Sequence, residues 1–124
     1  MKIRRLDVNK DYKELSILDG KGVARAIIYP GMGAKYASLN YFVMKPGSKN
    51  TAHVHARSED VIYVIQGQGI IKETETGNEL RFKKGDILFI PEGVYHQVIP
   101  DGDEDYIGIG GPQPVDDSIF KDLS

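Results

Sequence analysis

The chain has no cysteine among its 124 residues. This absence excludes disulfide bonds, thiolate nucleophiles and cysteine-based zinc sites, and it is compatible with a reducing compartment, so we expect a cytoplasmic protein. No apolar run approaches the roughly 20 residues that a membrane-spanning helix requires. Met1 is followed by Lys-Ile-Arg-Arg rather than by the apolar segment of a signal peptide. We therefore expect no membrane association.

An excess of charge of one sign is also absent. The formal net charge is −2, and the basic residues form no stripe, which argues against a nucleic-acid partner. A chain of this length fits one domain with its own core, here residues 1–124. Fourteen glycines and six prolines punctuate the sequence, as is typical of short strands joined by turns.

The segments between these turns alternate or are wholly apolar over four to nine residues, and no segment has a convincing helical period. Two of them, 60–66 and 87–90, are so apolar that we predict burial on both faces. Residues 1–21 form an N-terminal arm with at most one short strand, and 111–124 form a tail. The eight clearest predicted strands, of eight to ten in all, are 22–29, 37–45, 60–66, 70–75, 80–82, 87–90, 94–99 and 105–109. This spacing predicts an all-β sandwich or barrel.

Histidine is scarce, and its positions carry the chemistry. His53 and His55 are separated by one residue, which on an extended strand points both imidazoles to one side. His96 follows on a later predicted strand. Of the adjacent acids only one can face inward, and counting back along the apolar run favours Asp60, with Glu59 as the alternative if the chain is irregular there.

These side chains together predict a metal site. Imidazole nitrogen and carboxylate oxygen suit one divalent transition metal, Fe, Mn, Zn, Ni, Co or Cu. Two histidines and a carboxylate leave coordination positions open for a reactant. His96 would complete a set of three histidines and one carboxylate.

The spacing of two segments resembles the two motifs of the cupin superfamily. Gly47, His53-x-His55, Asp60 and Gly67 stand at the spacing of the first motif, although that motif has glutamate where this chain has Asp60. The second motif is matched by Gly85, Pro91-x-Gly93 and His96, with Pro100 where the family often has asparagine. The resemblance covers about residues 37–110.

The resemblance implies a double-stranded β-helix, a small conical jelly-roll barrel. The family's metal ligands carry over to His53, His55 and His96, and to Asp60 in place of glutamate. The resemblance also implies a homodimer formed through sheets and exchanged termini. The tail, with Ile119, Phe120 and Leu123 as its apolar residues, either crosses to a partner or frays.

Members of this superfamily include dioxygenases, decarboxylases, isomerases, polyketide cyclases and non-catalytic binding modules. We predict a metal-dependent enzyme acting on a small oxygenated organic substrate, by dioxygenase or by isomerase or decarboxylase-type chemistry. The alternative is a non-catalytic module that binds a small molecule or a sugar. The apolar interior wall expected around the substrate consists of Tyr41, Val43, Ile62, Val64 and Val98.

Overall fold

The computed structural model describes residues 1–19, 22–50, 55 and 57–119. In this part of the chain the regular structure consists of strands and two single 3-10 turns, at Pro30–Met32 and Asp117–Ile119, so the all-β prediction is confirmed. The strands are β1 (Lys13–Glu14), β2 (Leu18–Asp19), β3 (Gly22–Ile28), β4 (Leu39–Met44), β5 (Lys49–Asn50), β6 (Glu59–Gln66), β7 (Gln68–Glu73), β8 (Glu79–Lys83), β9 (Ile87–Ile90), β10 (His96–Asp101) and β11 (Tyr106–Gln113).

The strands form a large sheet and a small sheet, with a further two-stranded ribbon. The large sheet has the order β1-β3-β4-β11-β6-β9, the small sheet β10-β7-β8, and the ribbon pairs β2 with β5. All pairings are antiparallel. Strand β6, which begins beside the predicted histidine segment, therefore lies between β9 and β11, where the strand on each side fixes its register.

The core lies on one face of the large sheet. Its main cluster closes the space toward the small sheet and comprises Met44, Ile62, Val64, Phe82, Leu88, Ile90, Val98 and Tyr106. A second cluster, toward the N-terminal arm, is built on Leu15, Ala24, Ala26 and Tyr29. Side chains of opposite sheets thus bury each other, which is the arrangement that stabilises a two-layered β fold.

The prediction that β6 and β9 are buried on both faces is wrong for the single chain, in which one face of each strand is exposed. Alternate residues of these strands are 37–67% exposed, namely Val61, Tyr63, Ile65, Ile87 and Phe89. Continuous apolar sequence predicts burial of both faces because a solvated sheet face is usually polar. Here the second face is apolar, but nothing within the described part of the chain covers it.

The ends of the chain are more ordered than the sequence suggested. The last strand extends past the predicted 105–109 to Gln113, and the arm contributes two short strands rather than at most one. Val115 and Ile119 pack against the second cluster of the same chain. These two residues therefore pack within the same chain, while Phe120 and Leu123 lie outside the described residues and the exchange of termini in a homodimer stays a prediction.

Several turns depend on glycine, as expected. Gly47, Gly67, Gly85 and Gly93 have φ between 79° and 93°, a region that residues with a Cβ avoid. Gly108 serves a different need, because a Cβ at this position would overlap the hydroxyl of Tyr106 in the core. As for membranes, none of the helical turns seen in the described residues has the length and apolar character needed to cross a bilayer.

Candidate metal centre

Three of the predicted ligands come together in the interior of the barrel. The Nε2 atoms of His55 and His96 lie 3.4 and 3.5 Å from Oδ2 of Asp60. One potential ligand atom from each residue lies within 4.8 Å of the others, and all three residues are buried. His53, the fourth predicted ligand, falls outside the described residues.

The adjacent acids differ in orientation as strand alternation predicts. Asp60 is 5% exposed, whereas Glu59 is exposed at the surface end of β6. Asp60 pairs with Ile90 on one side and with Pro112 on the other. The acid nearest the histidines is therefore held by strands on both sides, and Glu59 is directed away from them.

Backbone contacts hold the two histidines beside this strand. The N–H of Gly93 donates to the carbonyl of His55 at 3.1 Å, which ties the first histidine segment to the tight turn before the second. His96 begins β10 and pairs with Glu73 of β7. The glycine and proline spacing noted in the sequence thus joins two segments that are distant along the chain.

The outer nitrogen of each ring has an oxygen partner. Nδ1 of His96 lies 2.9 Å from the carbonyl oxygen of Val94, and Nδ1 of His55 lies 2.8 Å from a carboxylate oxygen of Asp116. A carbonyl oxygen and an ionised carboxylate both accept hydrogen bonds, and neither can donate one. Each Nδ1 therefore carries the hydrogen, and each Nε2 is directed to Asp60.

In this cluster, the carboxylates and the histidines each favour the charged form of the other. Burial alone would raise the pKa of Asp60, but hydrogen bonds and charge interactions with His55 and His96 lower it to about 2. For His55, burial opposes the charged form, but Asp60 and Asp116 outweigh it and raise its pKa. The carboxylate is consequently ionised at neutral pH and available to a cation.

The donor set fits a divalent metal ion. Ligand atoms bound at about 2.0–2.2 Å are separated from each other by roughly 3 to 3.5 Å in tetrahedral or octahedral geometry, and the two nitrogen–oxygen distances match this range. Oδ1 of Asp60 is buried without a hydrogen-bond partner in the described part of the chain. A cavity of about 20 Å³, lined in part by Asp60 and His96, lies beside them; this is room for about one small ion or water.

Of the residues predicted for the apolar wall, those of β6 and β10 lie in the interior and those of β4 do not. Ile62 and Val98 line the small cavity, and Val64 is fully buried in the core beside them. Tyr41 and Val43 instead lie on the opposite face of β4, because Phe42 and Met44 are the residues that line the cavity and successive side chains alternate. Strand β4 has apolar side chains on both faces, and tertiary packing decides which of the two faces turns inward.

Two residues near the centre were not identified from the sequence. Tyr106 lines the small cavity with Asp60 and His96, and its side chain is among the most deeply buried. Its signal was the spacing to Gly108, which leaves room for a large ring. Asp116 comes from the proline-rich tail, whose pattern has no period from which a direction could be inferred.

Two larger cavities reach the centre from different sides. One of about 260 Å³ is lined by His96 and by β7, β8 and β9, with Ile71, Leu88, Ile90 and Val94 as apolar walls. The other, of about 150 Å³, touches His55 and Asp60 and is bordered by the arm and the tail. The first is the larger of the two.

The Cupin domain family matches residues 40–107. This chain belongs to the cupin family. The match includes both histidine segments and extends from β4 into β11, so the superfamily suggested by the spacing is confirmed. The arm and the tail, which border the 150 Å³ cavity, lie outside the match.

Individual relatives agree with this assignment. An uncharacterized protein from Methanocaldococcus jannaschii is 31% identical over 79% of this chain and 76% of its own length. The tetracenomycin polyketide synthase protein TcmJ from Streptomyces glaucescens is 30% identical over 62% of this chain and 51% of its own. The germin-like proteins among the curated relatives are longer still, and the chain spans only 32–38% of their length.

Solved structures support the barrel. The polyketide cyclase RemF from Streptomyces resistomycificus superposes with a TM-score of 0.70 at 22% identity, covering 87% of this chain and 77% of that chain. This likeness establishes the fold. The predicted double-stranded β-helix is therefore confirmed, and the cluster of His55, Asp60 and His96 lies inside a cupin barrel.

Proposed function

We propose that this cupin is a metal-dependent enzyme acting on a small oxygenated organic substrate. The observation that carries the proposal is the buried cluster of His55, Asp60 and His96, of which His96 lines the 260 Å³ cavity. Two histidines and a carboxylate are typical ligands of catalytic metals that keep positions open. His53 is proposed as a further ligand on its spacing to His55.

The larger cavity is the proposed substrate site. Its volume of about 260 Å³ lies near the lower end of the range for small-molecule pockets. Ile71, Leu88 and Val94 would contact an apolar body, while His96 marks the end at which an oxygen would lie. Lys72 and Glu73 also line this cavity and offer polar contacts for a second functional group.

The protein's own contribution is to fix donors and charges around the reacting oxygen. When bound, a divalent metal supplies a Lewis acid that stabilises negative charge on that oxygen, or a site for oxygen chemistry if the metal is iron. Tyr106 lines the same small cavity, and burial together with the negative charge of Asp60 raises the pKa of its hydroxyl. Tyr106 thus keeps a neutral hydroxyl beside the metal centre.

The relatives narrow the substrate class. TcmJ belongs by its name to a polyketide synthase, and RemF is described as a polyketide cyclase. Polyketides carry carbonyl and enol oxygens on an apolar body. Such a substrate matches the polar end and the apolar walls of the 260 Å³ cavity, and it suits either isomerase-type or oxygenase chemistry.

The metal is tested by elemental analysis and by a matched pair of variants. We expect one divalent transition metal per chain in protein purified without chelators. Asp60→Asn removes the charge of the inward acid and should weaken binding of added Zn²⁺ or Fe²⁺ at least about tenfold, since one ligand change is worth more than about 1.4 kcal/mol. Glu59→Gln, one residue away and exposed, should leave metal affinity unchanged. Equal effects of the two substitutions would contradict the proposed ligand set.

The chemistry is tested on metal-loaded protein with a panel of β-dicarbonyl, α-keto acid and phenolic compounds. Oxygen uptake would indicate a dioxygenase, carbon dioxide release a decarboxylase, and a spectral change without either an isomerase or cyclase. Protein that binds panel compounds at the metal and transforms none of them would favour the non-catalytic binding module instead.

We also propose that the protein is a homodimer. The face formed by Val61, Tyr63, Ile65, Ile87 and Phe89 is apolar and exposed, and contiguous exposed apolar surface marks interaction sites in soluble proteins. A second copy is the proposed occupant because these five residues include no charge, so the face is self-complementary across a two-fold axis. A dimer of this kind would bury both faces of β6, as its sequence predicts.

A further inference from the structure

The C-terminal segment 112–119 borders the 150 Å³ cavity that touches His55 and Asp60. The hydroxyl of Ser38 donates to the carbonyl of Pro112 at 2.5 Å, and the hydroxyl of Ser58 donates to the carbonyl of Pro114 at 2.6 Å. The N–H of Val115 donates to the carbonyl of Tyr36 at 3.0 Å. With Ile119 packed against the second core cluster, the segment is anchored along its length.

The segment brings one carboxylate to the metal centre. Oδ2 of Asp116 lies 2.8 Å from Nδ1 of His55. Its other oxygen, Oδ1, accepts hydrogen bonds from the N–H and the hydroxyl of Ser118, at 3.0 and 2.6 Å. Each carboxylate oxygen therefore has its own partner, and the group is oriented before any ligand binds.

The two histidine rings are oriented by hydrogen bonds to different kinds of acceptor. His96 uses the carbonyl of Val94, two residues away on the same turn. His55 depends on a side chain 61 residues further along the chain. The orientation of His96 is consequently a local property of the β10 start, whereas the orientation of His55 requires that the C-terminal segment be docked.

The position of Asp116 excludes it from the proposed ligand set. It contacts Nδ1, and Nε2 on the far side of the ring is the atom that faces Asp60. A carboxylate at Nδ1 therefore acts through the imidazole: it fixes the tautomer and the ring orientation, and it raises the basicity of the ligating nitrogen.

We propose that Asp116 is a positioning residue for His55 and that the C-terminal segment is an integral part of the metal centre. The inference rests on the proposed metal site. It assigns a role to residues outside the matched family region 40–107. It also predicts that removing the contact affects metal affinity and the His55 tautomer without changing the fold of the barrel.

The affinity test uses three variants of the full chain and competition with a chromophoric chelator for Zn²⁺. Asp116→Ala should weaken binding about 10- to 100-fold, as is usual when the partner of a ligating histidine is lost. Asp116→Asn should retain part of the affinity, because its amide oxygen can still accept from Nδ1–H. Asp117→Asn removes the same charge from the neighbouring exposed residue and should bind as the wild type does.

The second readout needs no metal. In the metal-free protein, ¹⁵N NMR of the imidazoles should show hydrogen on Nδ1 of His55, and Asp116→Ala should shift this ring toward a tautomeric mixture while His96 is unchanged. Far-UV circular dichroism confirms folding of each variant. If Asp116→Ala unfolds, the same two measurements on Asp116→Asn decide the question.

The outcomes separate this inference from the proposed function. Wild-type protein that binds metal tightly, with Asp116→Ala equal to it in affinity and in tautomer, would overturn the positioning role and leave the metal site standing. Wild-type protein that binds no divalent metal would overturn the proposed function, and with it the role of Asp116 in metal affinity. The tautomer measurement would then still show whether Asp116 orients His55.

Discussion

Alternate residues of the same strands form the two faces of the large sheet, and the two faces differ in burial. On β6, Asp60, Ile62 and Val64 face the interior, whereas Val61 and Tyr63 face outward. On β6 and β9 both faces carry apolar side chains. The two faces differ in burial because, in the described part of the chain, the small sheet, the arm and the tail cover only the inner face.

The same alternation of side chains directs a potential metal ligand into the barrel. Asp60 is a buried polar residue at the end where β6 begins, on the same face as Ile62 and Val64. Because the side-chain period is two, a shift of one residue would exchange Asp60 for Glu59 and move the whole apolar set to the other face. The register that buries Ile62 is therefore the same register that presents the carboxylate to His55.

The largest difference between the faces should appear in stability, and β9 offers a matched pair. Ile90 is 5% exposed and Ile87 is 67% exposed. Ile90→Ala should lower the free energy of unfolding by about 2–5 kcal/mol because it leaves a cavity in the core. Ile87→Ala should change it by no more than about 0.5 kcal/mol in dilute solution. Urea unfolding of both variants measures the difference, and equal losses would contradict the assignment of the faces.

Much of this fold could be predicted because its signals are local. Turn glycines, alternating segments and the two histidine spacings each depend on a few neighbouring residues. The inward direction of Asp60 followed from strand parity alone. Ile62 and Val98 were predicted to line the interior for the same reason.

The errors arise where a distant contact decides between two local possibilities. The β4 segment is apolar on both faces, so nothing local distinguishes Tyr41 from Phe42, and the packing of Phe42 over the site selects the inner face. Asp116 was missed because its partner, His55, is 61 residues away. The outer face of β6 was predicted to be buried because its sequence cannot say whether the cover comes from the same chain.

The second expected effect concerns pH, since Asp60 titrates on the inner face. The pKa of Asp60 is lowered to about 2 in the folded, metal-free protein. A lowered pKa stabilises the fold above the ordinary value near 4, and about 2 kcal/mol of stability is lost as the pH falls toward 2. The raised pKa of His55 acts in the opposite sense: its contribution is complete below about 6.5 and is lost as the pH rises through the folded value.

We therefore expect the metal-free protein to be most stable between about pH 4 and 6.5. Urea unfolding midpoints, measured in chelator from pH 2.5 to 8.5, give the profile. Asp60→Asn should flatten both limbs because it removes one titrating group and the main partner of the other. Glu59→Gln, on the outer face, should leave the profile parallel to that of the wild type; a profile equally steep in Asp60→Asn would show that other groups cause it.

The smallest expected effect concerns association and tests whether a second copy covers the outer face. Phe89→Glu places a charge in the middle of that face and should raise the dimer dissociation constant at least about tenfold, or about 1.4 kcal/mol. Lys84→Glu, on the exposed turn before β9, introduces the same residue outside the face and should not. Sedimentation velocity over a dilution series measures both variants. Dimers of undiminished affinity in Phe89→Glu would place the interface elsewhere.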